Sequence, residues 1–430
     1  MAETEPEVLA THLARAGDAV RAAEYWRKAG HRASKNSAYR EAIGAFQTAL
    51  SLLPENETTT RVDINRAIAS AYFASGDYTS MRKHLEHAAT DAEATDNHVI
   101  MAEIAIQQGH VLNVYGGSLM DAVKFGERAL QIATRLDDDA LAYGARFSLG
   151  QSAWIAGDFI TAIGFFTANL PENLRDPERV RDFGTAGSLM IDSMSMLGSC
   201  LAHCGEFERG AAVLDRAERL APSGDFDILV FEFHRNRFHL QKGDASSALP
   251  RMIKAVRHVE EAGWKFSLPW NHALLGYACA LFGKVDEGVS LLTKALNECN
   301  STHLPYAKAM TSVFLAETLA SREPKRALDV AETGLTVARA GGYRAQEAEL
   351  LRVKAAALLT KDAVEAEARA NEGLELAREL RMRPEEAHAL RVLGDIAAAN
   401  GKSLAASESH DRARAIYQNL GMTYWLERLG

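Results

Sequence analysis

The stretch FSLGQSAWIAGDFITAIGFF, residues 147–166, decides the fold. Its centre is the pair Gly157-Asp158, and an amphipathic helical run lies on either side. Glycine ends the first run because it tolerates the left-handed backbone that a helix terminus demands. Leu149 and Gly150 precede the turn, and Ala162 and Phe166 follow it. The same arrangement returns in SMLGSCLAHCGEFERGAAVL (195–214), ALLGYACALFGKVDEGVSLL (273–292) and RVLGDIAAANGKSLAASESH (391–410). In the last of these His410 stands where Phe166, Leu214 and Leu292 stand in the others. Further turns of this kind centre on Gly17, Gly76 and Gly243. The turn glycines recur at intervals of roughly forty residues, which marks a repeat array.

Each unit has one physical logic. The small residues Gly150, Gly198, Gly276 and Gly394 let the two helices of a unit approach closely. The large apolar residue of the second helix is expected to fill the space between one hairpin and the next. A single hairpin cannot bury its apolar face alone, so neighbours must stack.

Taken together, the leucine–glycine pair, the turn glycine, the small residue and the following large residue resemble the tetratricopeptide repeat. The resemblance covers most of the chain. It implies an all-α, right-handed α-α superhelix of about ten helical hairpins. The period exceeds the usual thirty-four residues of that repeat, so longer helices or loops are expected. The unit boundaries are blurred around 100–135 and 304–380. NLPENLRDPERVRDFGTAG (169–187) carries Pro171 and Pro177 and reads as an irregular segment. The expected layout is N-terminal repeats over 1–170, an insert or loop over 171–187, and C-terminal repeats over 188–430.

Composition agrees with a helical, soluble chain. Only 10 of 430 residues are proline, and 47% are hydrophobic against 24% charged. The net charge of −9 disfavours nucleic acid, which needs a concentrated basic surface. Cys200, Cys204, Cys279 and Cys299 are too few for a disulfide framework, so a reducing compartment is the default. The acidic start MAETEPEVLA is no signal peptide, and no apolar run is long enough to span a membrane. A cytoplasmic location is expected.

Two motifs invite chemistry and give way to structure. Gly401-Lys402-Ser403 ends like a phosphate-binding loop, but Ile396 stands where that loop needs its first glycine, and 387–399 reads as a helix. The tripeptide occupies the turn that Gly157 occupies elsewhere. Cys200, His203 and Cys204 have metal-like spacing without an evident fourth ligand, so core cysteines are expected. His84 and His87 read as a solvated helix face. No catalytic signature is present, so neither catalysis, a cofactor nor a metal is expected.

The tetratricopeptide resemblance implies that the first helix of each unit lines a concave groove. Aligned that way, Arg66, Phe147, Gln151, Trp154, Phe233, Arg237, Trp270, Tyr277 and Asp395 are the candidate partner-binding residues. Aromatics and arginine are common anchors, although large side chains in repeats also serve the core. Both readings stay open for these aromatics.

A second resemblance lies at the two ends. PEVLATHLARAGDAVRAAEYWRKAG, from Pro6, and ARAIYQNLGMTYWLERLG, from Ala413, resemble the borders of the repeat region in bacterial signal-transduction ATPases and class III adenylate or guanylate cyclases. That likeness implies a non-catalytic scaffold or sensor arm that binds a protein or peptide, with an ATPase or cyclase as partner. No nucleic-acid or membrane partner is expected. The competing readings are a detached C-terminal part of an adenylate/guanylate cyclase–ATPase, as the resemblance implies, and an enzyme or small-molecule sensor with a site hidden in the groove. Filling the groove is expected to change the curvature of a spring whose repeats touch only their neighbours.

Overall fold

The computed structural model describes residues 5–36, 38–175, 188–220, 225–262 and 266–429. The chain is all-α, with helices α1 (Pro6–Arg15) to α22 (Thr423–Leu426) and no strand among the described residues. Among the described residues, helices α2 (Ala19–Lys35) to α21 (Ser403–Asn419) pair off consecutively as ten antiparallel hairpins, and α1 and α22 flank them. The fold is a tetratricopeptide-like solenoid.

The turn glycines work as the sequence implies. Gly17, Gly76, Gly157, Gly205, Gly243, Gly283 and Gly401 all adopt positive φ. At Gly157 φ is +83°, and the next residue, Asp158, caps α9 (Phe159–Ala168) by accepting from the Thr161 N–H at 3.1 Å. Such a cap is worth about 1 kcal/mol. Six of these glycines separate the two helices of a hairpin, but Gly17 lies between α1 and α2 and so precedes the first hairpin.

The large residue of the second helix packs inside its own hairpin, not between hairpins as expected. A methyl on Gly150 would fall 2.7 Å from the Phe166 ring, and one on Gly198 would fall 2.5 Å from Leu214. Gly276 meets Leu292 and Gly394 meets His410 in the same way. The small residue is thus the socket for the large one, and the two are fixed in register along paired helices. His410 keeps the socket polar, with Nε2 3.0 Å from Asp395 Oδ1.

The chain divides into two compact units, Met1–Val111 with Lys124–Ala145, and Leu112–Val123 with Arg146–Gly430. In the first, Phe46 on α3 (Tyr39–Leu52) plugs the socket at Gly30 and forms a core with Ala23, Ile64 and Ile68. The expected insert falls mostly on residues 176–187, outside the described residues. Its start, Pro171–Asn173, makes one 3₁₀ turn.

The second unit departs from a simple spring. Its hairpin turns touch helices five hairpins further along the chain. A methyl at Gly116 would meet Pro305 Cγ at 2.6 Å, and one at Gly157 would meet the Ala345 backbone nitrogen at 2.9 Å. Gly205 faces Arg383 and Leu420, and Gly243 faces Tyr424 and Trp425. One buried cluster accordingly joins Ile191 and Leu214 to Leu390, Tyr417 and Trp425. The expectation that repeats touch only their neighbours fails in this unit. Turn-on-turn packing adds contacts that a change of curvature would have to break.

Candidate functional site

In the second unit the first helices of four successive hairpins, α14 (Leu268–Leu281), α16 (Pro305–Leu319), α18 (Arg344–Leu358) and α20 (Arg383–Ala399), share one face. Two adjoining cavities lie along it, of about 60 Å³ and about 590 Å³. Both are lined by Tyr277, Glu317, Arg352 and Trp425. Trp425, on α22, is buried edge-on against His388 at a ring separation of 4.5 Å, so α22 walls both spaces.

Arg352 organises the partition between the cavities. Its Nε donates to Glu385 Oε1 at 2.6 Å, and Nη1 and Nη2 donate to the two oxygens of Glu317 at 3.1 and 3.3 Å. The Tyr277 hydroxyl donates to Glu317 Oε2 at 3.1 Å. A buried charge of this kind is tolerable only with such complete pairing. Burial alone would raise the Glu317 carboxyl, but the Arg352 charge and hydrogen bonds outweigh it and hold the group below its ordinary range. At Glu385 burial wins over Arg352 and pushes the group up to about 7.

Glu349 faces the smaller cavity with no ion-pair or hydrogen-bond partner among the described residues. Burial, and then the charge of Glu385, pushes its carboxyl up to about 8. Arg237 lies across that cavity, its Nη2 3.0 Å from His203 Nε2 and its guanidinium 5.3 Å from the Trp154 ring centre. Arginine only donates, so His203 carries its proton on Nδ1. The Gln241 amide 2.7 Å from that nitrogen must therefore present its oxygen. Burial holds His203 and His388 well below the usual histidine range, so both are neutral.

The larger cavity is an open basin. Arg391, Asp395, Tyr424, Arg428 and Arg322 add to its wall. Arg391 Nη1 donates to Asp395 Oδ2 at 3.1 Å, and Arg428 lies 3.6 Å over the Tyr424 ring.

The residues expected to line a groove fall into distinct places. Tyr277 and Asp395 line the basin, and Arg237 and Tyr277 line the smaller cavity. Trp154 is buried, edge-on to His234 at 5.5 Å and against Tyr306 at 5.0 Å. Trp270 and Phe233 pack edge-on at 5.5 Å, half-buried beside the core, and Trp270 stacks on Tyr306. Phe147 and Gln151 are buried, Phe147 beside Phe166. Arg66 belongs to the first unit and pairs with Glu103 at 2.9 Å.

Other expectations resolve simply. Gly401 is a left-handed turn, and Lys402 pairs with Glu367 at 3.2 Å. All four cysteines are buried free thiols. His203 stacks on Phe159 at 4.1 Å. His87 is exposed, but His84 is half-buried against Tyr72 and hydrogen-bonded to Asn65, so the solvated face is only partly so.

Sequence reasoning missed Glu317, Glu349, Arg352, Glu385, Arg391 and Arg428. The turns after α16 and α18 contain no glycine, so that register could not be counted. The usable signal was a charge inside an apolar helical run, as in SVFLAETLA around Glu317 and AELLRVKAAAL around Arg352.

No protein-family profile matches the chain, and no curated protein matches it in sequence. Among solved structures, it is similar to a Rap protein complexed with competence and sporulation factor. The TM-score is 0.61 at 13% identity, over 86% of this chain and 99% of that one. At that identity the likeness establishes the arrangement of helices. Looser matches are a signal-transduction ATPase with a tetratricopeptide repeat sensor from Pyrococcus horikoshii and a human IFIT1 dimer with PPP-AAAA. The first has a TM-score of 0.47 at 12% identity, over 85% of this chain and 55% of that one. The second has 0.49 at 13%, over 89% and 88%. Among the described residues no helix is long and apolar enough to cross a membrane.

Proposed function

We propose that the chain is a non-catalytic scaffold that captures a peptide or protein segment in the basin of its second unit. The observation that carries this reading is the basin itself, about 590 Å³ of open space lined by first helices and α22. That volume is in the usual range for ligand sites, roughly 300–1,000 Å³. Its floor is pre-organised by the Tyr277–Glu317–Arg352 network, so binding need not order those groups. The likeness of the chain's ends to bacterial signalling proteins supports a role as the sensing arm of an ATPase or nucleotide cyclase.

Photo-crosslinking from the native cell extract tests the reading. One bait carries a photoreactive residue at Ser321, exposed in the basin, and the other carries it at Val364, exposed on α19 (Ala363–Glu379). One peptide or protein joined to the first bait alone is the expected result. Equal labelling from both positions, or none from Ser321, would sink it.

A further inference from the structure

We propose that the occupant of the basin is an acidic peptide segment, with a carboxylate held by Arg391 and Arg428. This deepens the capture reading above and rests on it.

Charge is the first argument. Four arginines, at 322, 352, 391 and 428, line the basin against two carboxylates, Glu317 and Asp395. The chain as a whole carries −9, so a cationic basin runs against its average. Adding the smaller cavity brings Arg237, Glu349 and Glu385, and Asp286 pairs with Arg322 from outside the lining, so the arginine left without a carboxylate in the basin is Arg428.

The second argument is unused hydrogen-bonding capacity. Arg352 is consumed by Glu317 and Glu385. Arg322 pairs with Asp286 at 2.9 Å. Arg391 spends Nη1 on Asp395, whose other oxygen is taken by His410, and the side chain keeps part of its surface open to the basin. Arg428 touches only the Tyr424 carbonyl, at 3.0 Å, and the Tyr424 ring, with no carboxylate partner among the described residues. A guanidinium cannot shed its charge, and its planar fork matches a carboxylate. A peptide supplies that carboxylate and also fills the apolar wall of Leu281, Val285, Val353 and Leu359, which a bare anion would leave wet.

Fluorescence anisotropy on the full chain tests the proposal with three labelled hexapeptides, of glutamate, glutamine and lysine, and with inorganic pyrophosphate as competitor. Hexaglutamate is expected to bind best, to weaken steeply with salt, and to lose about tenfold in affinity in R428Q and in R391Q. Arg428 is exposed, so R428Q keeps the test valid even if R391Q disturbs the helix. Equal binding by both variants would overturn the site. Preference for hexaglutamine or hexalysine, lost in R428Q, would overturn the acidic occupant and keep the capture reading. Pyrophosphate displacing hexaglutamate at far lower concentration would assign the basin to a phosphate ligand instead. No binding by any peptide at millimolar concentration would overturn this proposal. The crosslinking from Ser321 would then decide the capture reading separately.

Discussion

Replacing Gly157 by alanine isolates the turn-on-turn packing of the second unit, because Gly401 provides a matched control. Both glycines end a first helix with positive φ, +83° and +72°. Alanine in that conformation costs about 1–2 kcal/mol at either position. A methyl at Gly401 meets nothing within 4 Å, so that strain is the whole cost there. At Gly157 the methyl would also lie 2.9 Å from the Ala345 backbone nitrogen and 3.1 Å from its Cβ. Backbone cannot rotate away, so α18 must shift, and overpacking of this kind costs about 1–3 kcal/mol more. Gly157→Ala should therefore destabilise the unit by about 1–3 kcal/mol beyond Gly401→Ala. Urea unfolding followed by the fluorescence of Trp154, Trp270 and Trp425 reads the difference. Equal losses would refute the claim that distant turns bear on one another.

Arg352→Met leaves Glu317 and Glu385 without their cation and should cost about 3–5 kcal/mol near neutral pH, read by the same unfolding assay. Phe166→Ala empties the Gly150 socket and should cost about 3–5 kcal/mol, whereas Ile160→Ala, half exposed on the same helix, should cost far less. Glu349 is raised to about 8 in the fold, so the native state binds a proton that the unfolded chain releases near its ordinary value. Its contribution is least harmful at low pH and worsens as pH climbs from about 4.5 towards 8. Glu349→Gln should abolish that part of the fall and stabilise the chain by on the order of a few kcal/mol at pH 9. Unfolding curves at pH 5 and pH 9 check it, and a gain that is equal at both would contradict the assignment.

The hairpins were legible wherever a Gly-Asp, Gly-Glu or Gly-Lys turn punctuated the chain. Gly150, Gly198, Gly276 and Gly394 each had a readable partner because a socket and its plug sit at a constant offset along paired helices. Reading blurred where other residues took the left-handed turn, as Asp96, Asp137, His303 and Arg381 do. The basin was half visible. Tyr277 and Asp395 could be reached by counting back from Gly283 and Gly401, but Glu317 and Arg352 could not, because their hairpins lack that glycine. Trp154 could be placed on the right helix, but its burial depends on Tyr306 and His234 from distant hairpins. No local pattern announces a meeting two and four hairpins apart.

The contacts of Gly205 and Gly243 with α20, Leu420 and α22 also bear on how the chain is made. Synthesis delivers α10 (Leu189–His203) to α13 (Ala245–Ala262) long before their partners exist. Ile191, Leu214 and Phe207 then wait with part of their apolar surface uncovered until Leu390, Tyr417 and Trp425 emerge. Contacts between segments so remote in sequence slow folding, and exposed apolar surface in the interval invites association. A nascent chain halted before α20 should therefore recruit holding factors that the finished chain no longer attracts.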